Sequence, residues 1–235
     1  PAAAVNARLL LAGAGAAWIG AAIVPMIRTH SRWTTMRTPL LLILLAFSLA
    51  GCGPKLVTMK PLNEFPQPLV EPLPLGVGVH YPPEFATFTH KEKRPGPSGQ
   101  EWTINLGAPQ LQVFRAIFAA TFASVSELET PGGGNGGITA IIVPSVQDFQ
   151  FALPDETRAK VFEIWVKYDL SIRDPQGEEI GRWAFTAYGK TPTAFLKTDE
   201  EAIQAATLVA LRDAGASIIT GLQRDQRIRE WLGVP

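Results

Sequence analysis

Between Phe162 and Arg173 the chain alternates apolar and polar residues with a period of two. Phe162, Ile164, Val166, Tyr168, Leu170 and Ile172 fall on one side, and Glu163, Trp165, Lys167, Asp169, Ser171 and Arg173 on the other; only Trp165 breaks the rule. Successive side chains of a strand point to opposite faces, so the pattern predicts a strand of an antiparallel sheet with one face on a core. Asp174-Pro175-Gln176-Gly177 reads as a turn whose proline pre-sets φ at the second position. Ile180 to Tyr188 is then expected to return as the partner strand. The apolar face of this hairpin needs a cover, and that need organises the rest of the chain.

Two helices are expected to supply it. Pro109 suits a first helical turn, where its missing N–H costs nothing. Leu111, Phe114, Phe118, Phe122, Val125 and Leu128 recur at three- and four-residue steps, widened by Ile117, until Pro131 and the run Gly132–Gly137 stop the pattern. Thr198-Asp-Glu-Glu201 is a capping box, so a second helix is predicted from about Asp199 toward Trp231. Its inner stripe is small (Ala202, Ala206, Ala210, Ala214, Ser217), flanked by Ile203, Val209 and Ile218, which permits close approach to a sheet. Gly215 and Gly221 each cost about 1 kcal/mol inside a helix. A break near either is expected, with Arg224 to Trp231 as a separate exposed turn. Gly76–Tyr81, Trp102–Leu106 and Ile138–Phe151 read as further strands, Pro144 marking a bulge or an edge, and 84–101 as a loop. This order predicts an α+β domain: a mostly antiparallel sheet with two helices packed on one face.

The amino-terminal third has a different character. Met36 to Cys52 reads MRTPLLLILLAFSLAGC, with one arginine, an apolar run from Leu40 to Ala50, then small residues. That is the layout of a signal peptide, and the run is shorter than the roughly 20 residues a spanning helix needs. Leu49-Ala50-Gly51-Cys52 resembles the lipobox of bacterial lipoproteins, and Cys52 is the only cysteine. The resemblance implies cleavage between Gly51 and Cys52, a lipid on the Cys52 sulfur, and a protein held to a membrane by it. Gly53, rather than aspartate, follows the cysteine, which by the lipoprotein sorting rule implies the outer membrane. Residues 36–51 are thus expected to be the signal peptide, 52–74 a lipidated cysteine and its proline-rich tether, and 75–235 a periplasmic α+β domain. For 1–35, where Leu9 to Met26 is apolar, two readings stand: translation starting at Met36, or a transmembrane segment upstream. For Pro54 to Pro74, with prolines at 54, 61, 66, 68, 72 and 74, two readings also stand: a polyproline-like tether, or an ordered segment along the domain surface.

Chemistry is sparse. Lys+Arg and Asp+Glu both number 21, so there is no basic excess to favour nucleic acid. One cysteine allows neither an intramolecular disulfide nor a cysteine-based zinc site. His80 and His90 flank a loop without a clear carboxylate partner, so no metal and no cofactor are expected. Gly132–Gly137 leaves a helix to enter a strand and lacks the Lys-Ser/Thr pair of a phosphate loop. Glu178-Glu179 and Glu200-Glu201 sit in a turn and a helix cap. Glu84, Asp148 and Asp155 stand alone in the sequence. No catalytic residue is expected, and the chain reads as a non-enzyme. Trp165 and Trp183 are the candidate partner surface, since an aromatic on a polar sheet face marks a contact. For Trp165 the alternative is that the loop 84–101 covers that face.

GVGVHYPPEF and EIWVKYDLSIRDPQGEEIGRW resemble strand segments of Gram-negative envelope lipoproteins, among them ABC-transport auxiliary, YajG-like and LPS-assembly lipoproteins. The resemblance runs from about Leu75 to Leu222 and is one of pattern and order. It implies a non-enzymatic accessory or assembly factor of an envelope transport system, facing the periplasm and binding an envelope protein partner. The alternative expectation is a carrier of lipid or another apolar ligand, in a helix–sheet cleft lined by Phe114, Phe118 and Phe122.

Overall fold

The computed structural model describes residues 53–58, 69–94, 99–134, 136–193, 198–224 and 226–232. All lie in the unit Gly51–Pro235. The lipobox and the segment before it lie outside the described residues.

The alternating run forms β7 (Val161–Arg173), and its partner is β8 (Glu179–Pro192). The turn between them closes as the sequence implies: Gly177 N donates to Asp174 O at 3.0 Å, with Gly177 at φ 98°, where glycine is at ease. β6 (Ala140–Ala152) pairs antiparallel with β7 on its other side. Next to β6 lie β2 (Leu73–Val79) and then β5 (Phe122–Glu127), both parallel pairings, so the five-stranded order is β5-β2-β6-β7-β8. The fold is α+β. In this five-stranded sheet the long hairpin side is antiparallel, and parallel pairing is confined to the β2 side.

The sheet's inner face carries Phe149, Phe151, Ile164, Val166, Tyr168, Leu170 and Ile172, all buried. Side chains of this size contribute roughly 1.5–3 kcal/mol each on burial. Two helices cover them: α2 (Gly107–Thr121) and α3 (Asp199–Arg224). The capping box of α3 forms, Glu201 N donating to Thr198 Oγ1 at 3.2 Å and Thr198 N to Glu201 Oε2 at 3.1 Å. Its alanine stripe is buried, and at Gly189 the helix lies so close that a Cβ would sit 2.0 Å from Ala206 O. α3 is long and apolar enough to cross a membrane by composition, but its apolar face is the core face.

Five expectations are corrected. The helix predicted to Leu128 ends at Thr121, and Phe122–Glu127 becomes β5; Phe122 and Val125 suit extended backbone, and pairing with β2 secures it. The loop 84–101 contains α1 (Pro83–Ala86) and β3 (Thr89–Lys93), whose polar sequence hides a strand that buries part of His90 on Phe149. Neither Gly215 nor Gly221 breaks α3: Gly215 is buried within the continuous helix, and Gly221 is where the Trp183 ring packs. The tail is α4 (Gln226–Leu232), and it is not an exposed turn: Ile228 and Leu232 are buried, and Trp231 lies over Gly181. The bulge of β6 falls between Val146 and Asp148 instead of at Pro144. Pro144 is tolerated because β2 pairs with β6 only as far as Ile142.

A second sheet, β1-β4-β3, packs over the end of the same inner face through Trp102, Phe88 and His90 against Phe149 and Phe151. Here β1 is Lys55–Thr58 and β4 is Glu101–Asn105. So the first stretch of the proline-rich segment is a strand, with Val57 buried and Lys55 paired to Asp199 and Glu200.

Candidate functional site

The outer face of β6-β7-β8 faces away from both helices, and it carries the odd residue of the alternating pattern. Trp165 stands opposite Gln150 on β6 and Tyr188 on β8. Its ring lies 5.5 Å from that of Tyr188, with planes tilted by 35°. Tyr188 donates its hydroxyl to Glu163 Oε1 at 2.5 Å, and this bond pushes the phenol up to about 12. The hydroxyl is therefore a fixed neutral donor rather than an acid at ordinary pH. Beside the rings, Asp148, Gln150, Trp165, Lys167 and Thr186 line a shallow hollow of about 240 Å³. Gln150 Nε2 donates to Asp148 Oδ2 at 2.6 Å, which holds the rim in place. Segment 84–94 packs on the opposite face, against Phe149 and Phe151, and so does not cover Trp165.

Trp183 does not share this surface. It stands opposite Leu170 on the inner face, its ring lies 4.8 Å from that of Phe185 with planes tilted by 31°, and it meets α3 at Gly221. Tyr188, missed in the sequence, takes its place as the second aromatic of the outer face.

Toward the hairpin turn the outer face becomes ionic. Arg182 donates to Asp169 Oδ2 at 2.7 Å and bonds both carboxylate oxygens of Glu179, which also accepts from Ser171 Oγ at 2.8 Å. The Arg182 and Ser171 donors hold the Glu179 carboxyl down to about 2. Burial pushes Asp169 the other way, above its ordinary value, against the pull of Arg182.

The remaining candidates are not brought together. His80 Nδ1 lies 3.0 Å from the Leu128 carbonyl, and His90 Nε2 lies 3.1 Å from Glu92. Glu84 lines a separate groove beside Phe85 and Pro144, Asp148 belongs to the Trp165 rim, and Asp155 is exposed in the turn before β7. Among the described residues no group of three His, Cys, Asp or Glu side chains is placed to hold a metal ion. Phe114, Phe118 and Phe122, the expected lining of an apolar cleft, are packed ring on ring and buried. Cys52 and Gly51 lie outside the described residues.

No protein-family model matches the chain, and no curated protein matches it. Among solved structures it is similar to a Xanthomonas campestris protein of the family DUF330 (15% identity, TM-score 0.41, covering 72% of this chain and 94% of that one). It is similar also to a minor lipoprotein from Acinetobacter baumannii (12% identity, TM-score 0.40, covering 64% and 92%). A third likeness is to a putative lipoprotein from Caulobacter crescentus (17% identity, TM-score 0.32, covering 60% and 88%).

Proposed function

We propose that this chain is an exported lipoprotein, anchored through Cys52 to the outer membrane, and that its domain serves an envelope transport or assembly system by binding a protein partner. The observation that carries the reading is the sequence Leu49-Ala50-Gly51-Cys52, after a short apolar run and with no other cysteine in the chain. The partner surface is the Trp165–Tyr188 face. Aromatic rings held on a rigid sheet lose little entropy on contact, and their polar rim suits an interface that is also stable when free. The activity is binding without catalysis: Glu84, Asp148 and Asp155 lie apart, and His80 and His90 are each turned to a structural partner.

The anchor is tested by mass spectrometry of the mature chain. An acylated amino-terminal Cys52 is expected, and Cys52→Ser should leave the protein unprocessed. An unmodified thiol inside a longer chain would overturn the reading. The partner is tested by placing a photo-crosslinking residue at Thr186, beside Trp165, in intact cells. Recovery of an envelope protein is expected, and recovery of none would remove the accessory role.

A further inference from the structure

The anchor residue is bonded directly to an ordered part of the domain. Gly53, which follows Cys52, has its carbonyl held by Gln100 Nε2 at 2.9 Å. Two residues later, Lys55 is in β1, aligned with Trp102 of β4 and paired to Asp199 and Glu200 at the start of α3. Consecutive Cα atoms are about 3.8 Å apart, so Cys52 lies within one bond step of that end of the domain.

The same end gathers the end of β3, the end of β6, the start of β7 and the end of β8: Lys93 pairs with Glu101, and Arg94 reaches the Phe151 carbonyl and Glu156. Glu163, near the start of β7, stands opposite Lys190 in the strand register without an ion pair between them. Four exposed cations here, Lys93, Arg158, Lys160 and Lys190, have no ion-pair partner among the described residues. Among the described residues, the anions left without a cation at this end are Asp155, Glu101 and Glu163; Glu163 is occupied by Tyr188, while Asp199, Glu200 and Glu156 are already paired.

Resting on the lipid anchor proposed above, we infer that this end is a membrane seat: the domain has no leash and stands on the bilayer that holds Cys52, its free cations against the phosphate groups of anionic lipids. Juxtamembrane Lys and Arg side chains are drawn to such a surface within a Debye length of it. β7 runs away from this end, so its 13 residues place the Asp174–Gly177 turn roughly 40 Å out. The Trp165–Tyr188 face then stands upright beside the bilayer, with its near edge at the seat.

The test uses the full lipidated protein in vesicles of phosphatidylethanolamine and phosphatidylglycerol carrying a headgroup spin label. A fluorophore is placed at Asp155→Cys, near the seat, or at Gln176→Cys in the far turn; lipidated Cys52 does not react. Strong quenching at 155 and little at 176 are expected. A 20-residue Gly/Ser insertion between Gly53 and Pro54, or Lys93→Glu with Arg158→Glu and Lys160→Glu, should abolish the difference while the protein stays on the vesicles. Equal, weak quenching at both sites in the native chain would overturn the seat and leave the anchor standing. Labelling of Cys52 itself, with no retention on vesicles, would overturn the anchor and the seat that rests on it.

Discussion

The indole of Trp183 occupies the space that a side chain at Gly221 would need. A Cβ there would lie 2.3 Å from the ring. Gly221 is thus a socket near the carboxyl end of α3, and the glycine packs against β8. Gly221→Ala is expected to lose about 1–3 kcal/mol from the clash, more than the roughly 1 kcal/mol regained from helix propensity. Urea unfolding of the variant checks the sign. A stabilised variant would mean that the ring moves aside.

Asp213 of α3 accepts a bond from the Tyr188 backbone N–H at 2.9 Å. β8 is the last strand of its sheet, and such an edge invites pairing with another chain. Asp213→Ala leaves that partly buried donor bare, at a cost of roughly 1–3 kcal/mol. Lower stability together with concentration-dependent association, read by analytical ultracentrifugation, is the expected outcome.

Glu179 carries the acid sensitivity of the outer face. Its folded-state value of about 2 lies below the ordinary 4.5, so its stabilisation is full above pH 4.5 and is lost as pH falls toward 2. Asp169, shifted upward, works in the opposite sense and is relieved by protonation. Glu179→Gln should therefore be less stable than the native chain at pH 7 and show a shallower decline between pH 5 and pH 2. Unfolding free energies across that range provide the check.

Trp165 is half-buried on a face that no other described segment covers, so Trp165→Ala should leave the unfolding midpoint nearly unchanged. The same variant should weaken crosslinking from Thr186 to the envelope partner, since aromatic anchors at interfaces commonly cost 2 kcal/mol or more on truncation. Intact stability with intact crosslinking would move the partner surface elsewhere.

The hairpin was legible because its information is local. A period-two pattern around a turn that proline and glycine specify leaves one face to bury, and β7 and β8 follow from that. The partner of Trp165 was not legible. Counting straight back from the turn sets Trp165 opposite Thr186, but residues near Ile180 are skipped in the pairing and bring Tyr188 there instead. Nor could the stripe through Phe122 and Val125 reveal its own end, since helical and extended backbones both place apolar residues acceptably over so short a run; β2 decided between them.

By itself, then, the sequence determined the α+β class, the capped amino terminus of α3 and the outward placement of Trp165, each set by residues a few positions apart. Tertiary structure decided what depends on distant backbone. It carried α3 unbroken through Gly215 and Gly221, the latter a packing position for Trp183, put Trp183 on the core side of the sheet, and made Lys55–Thr58 a strand. That last outcome bears most on function. Prolines limit where a chain can be helical, but whether an extended segment hangs free or joins a sheet depends on a waiting edge, and β4 provides one.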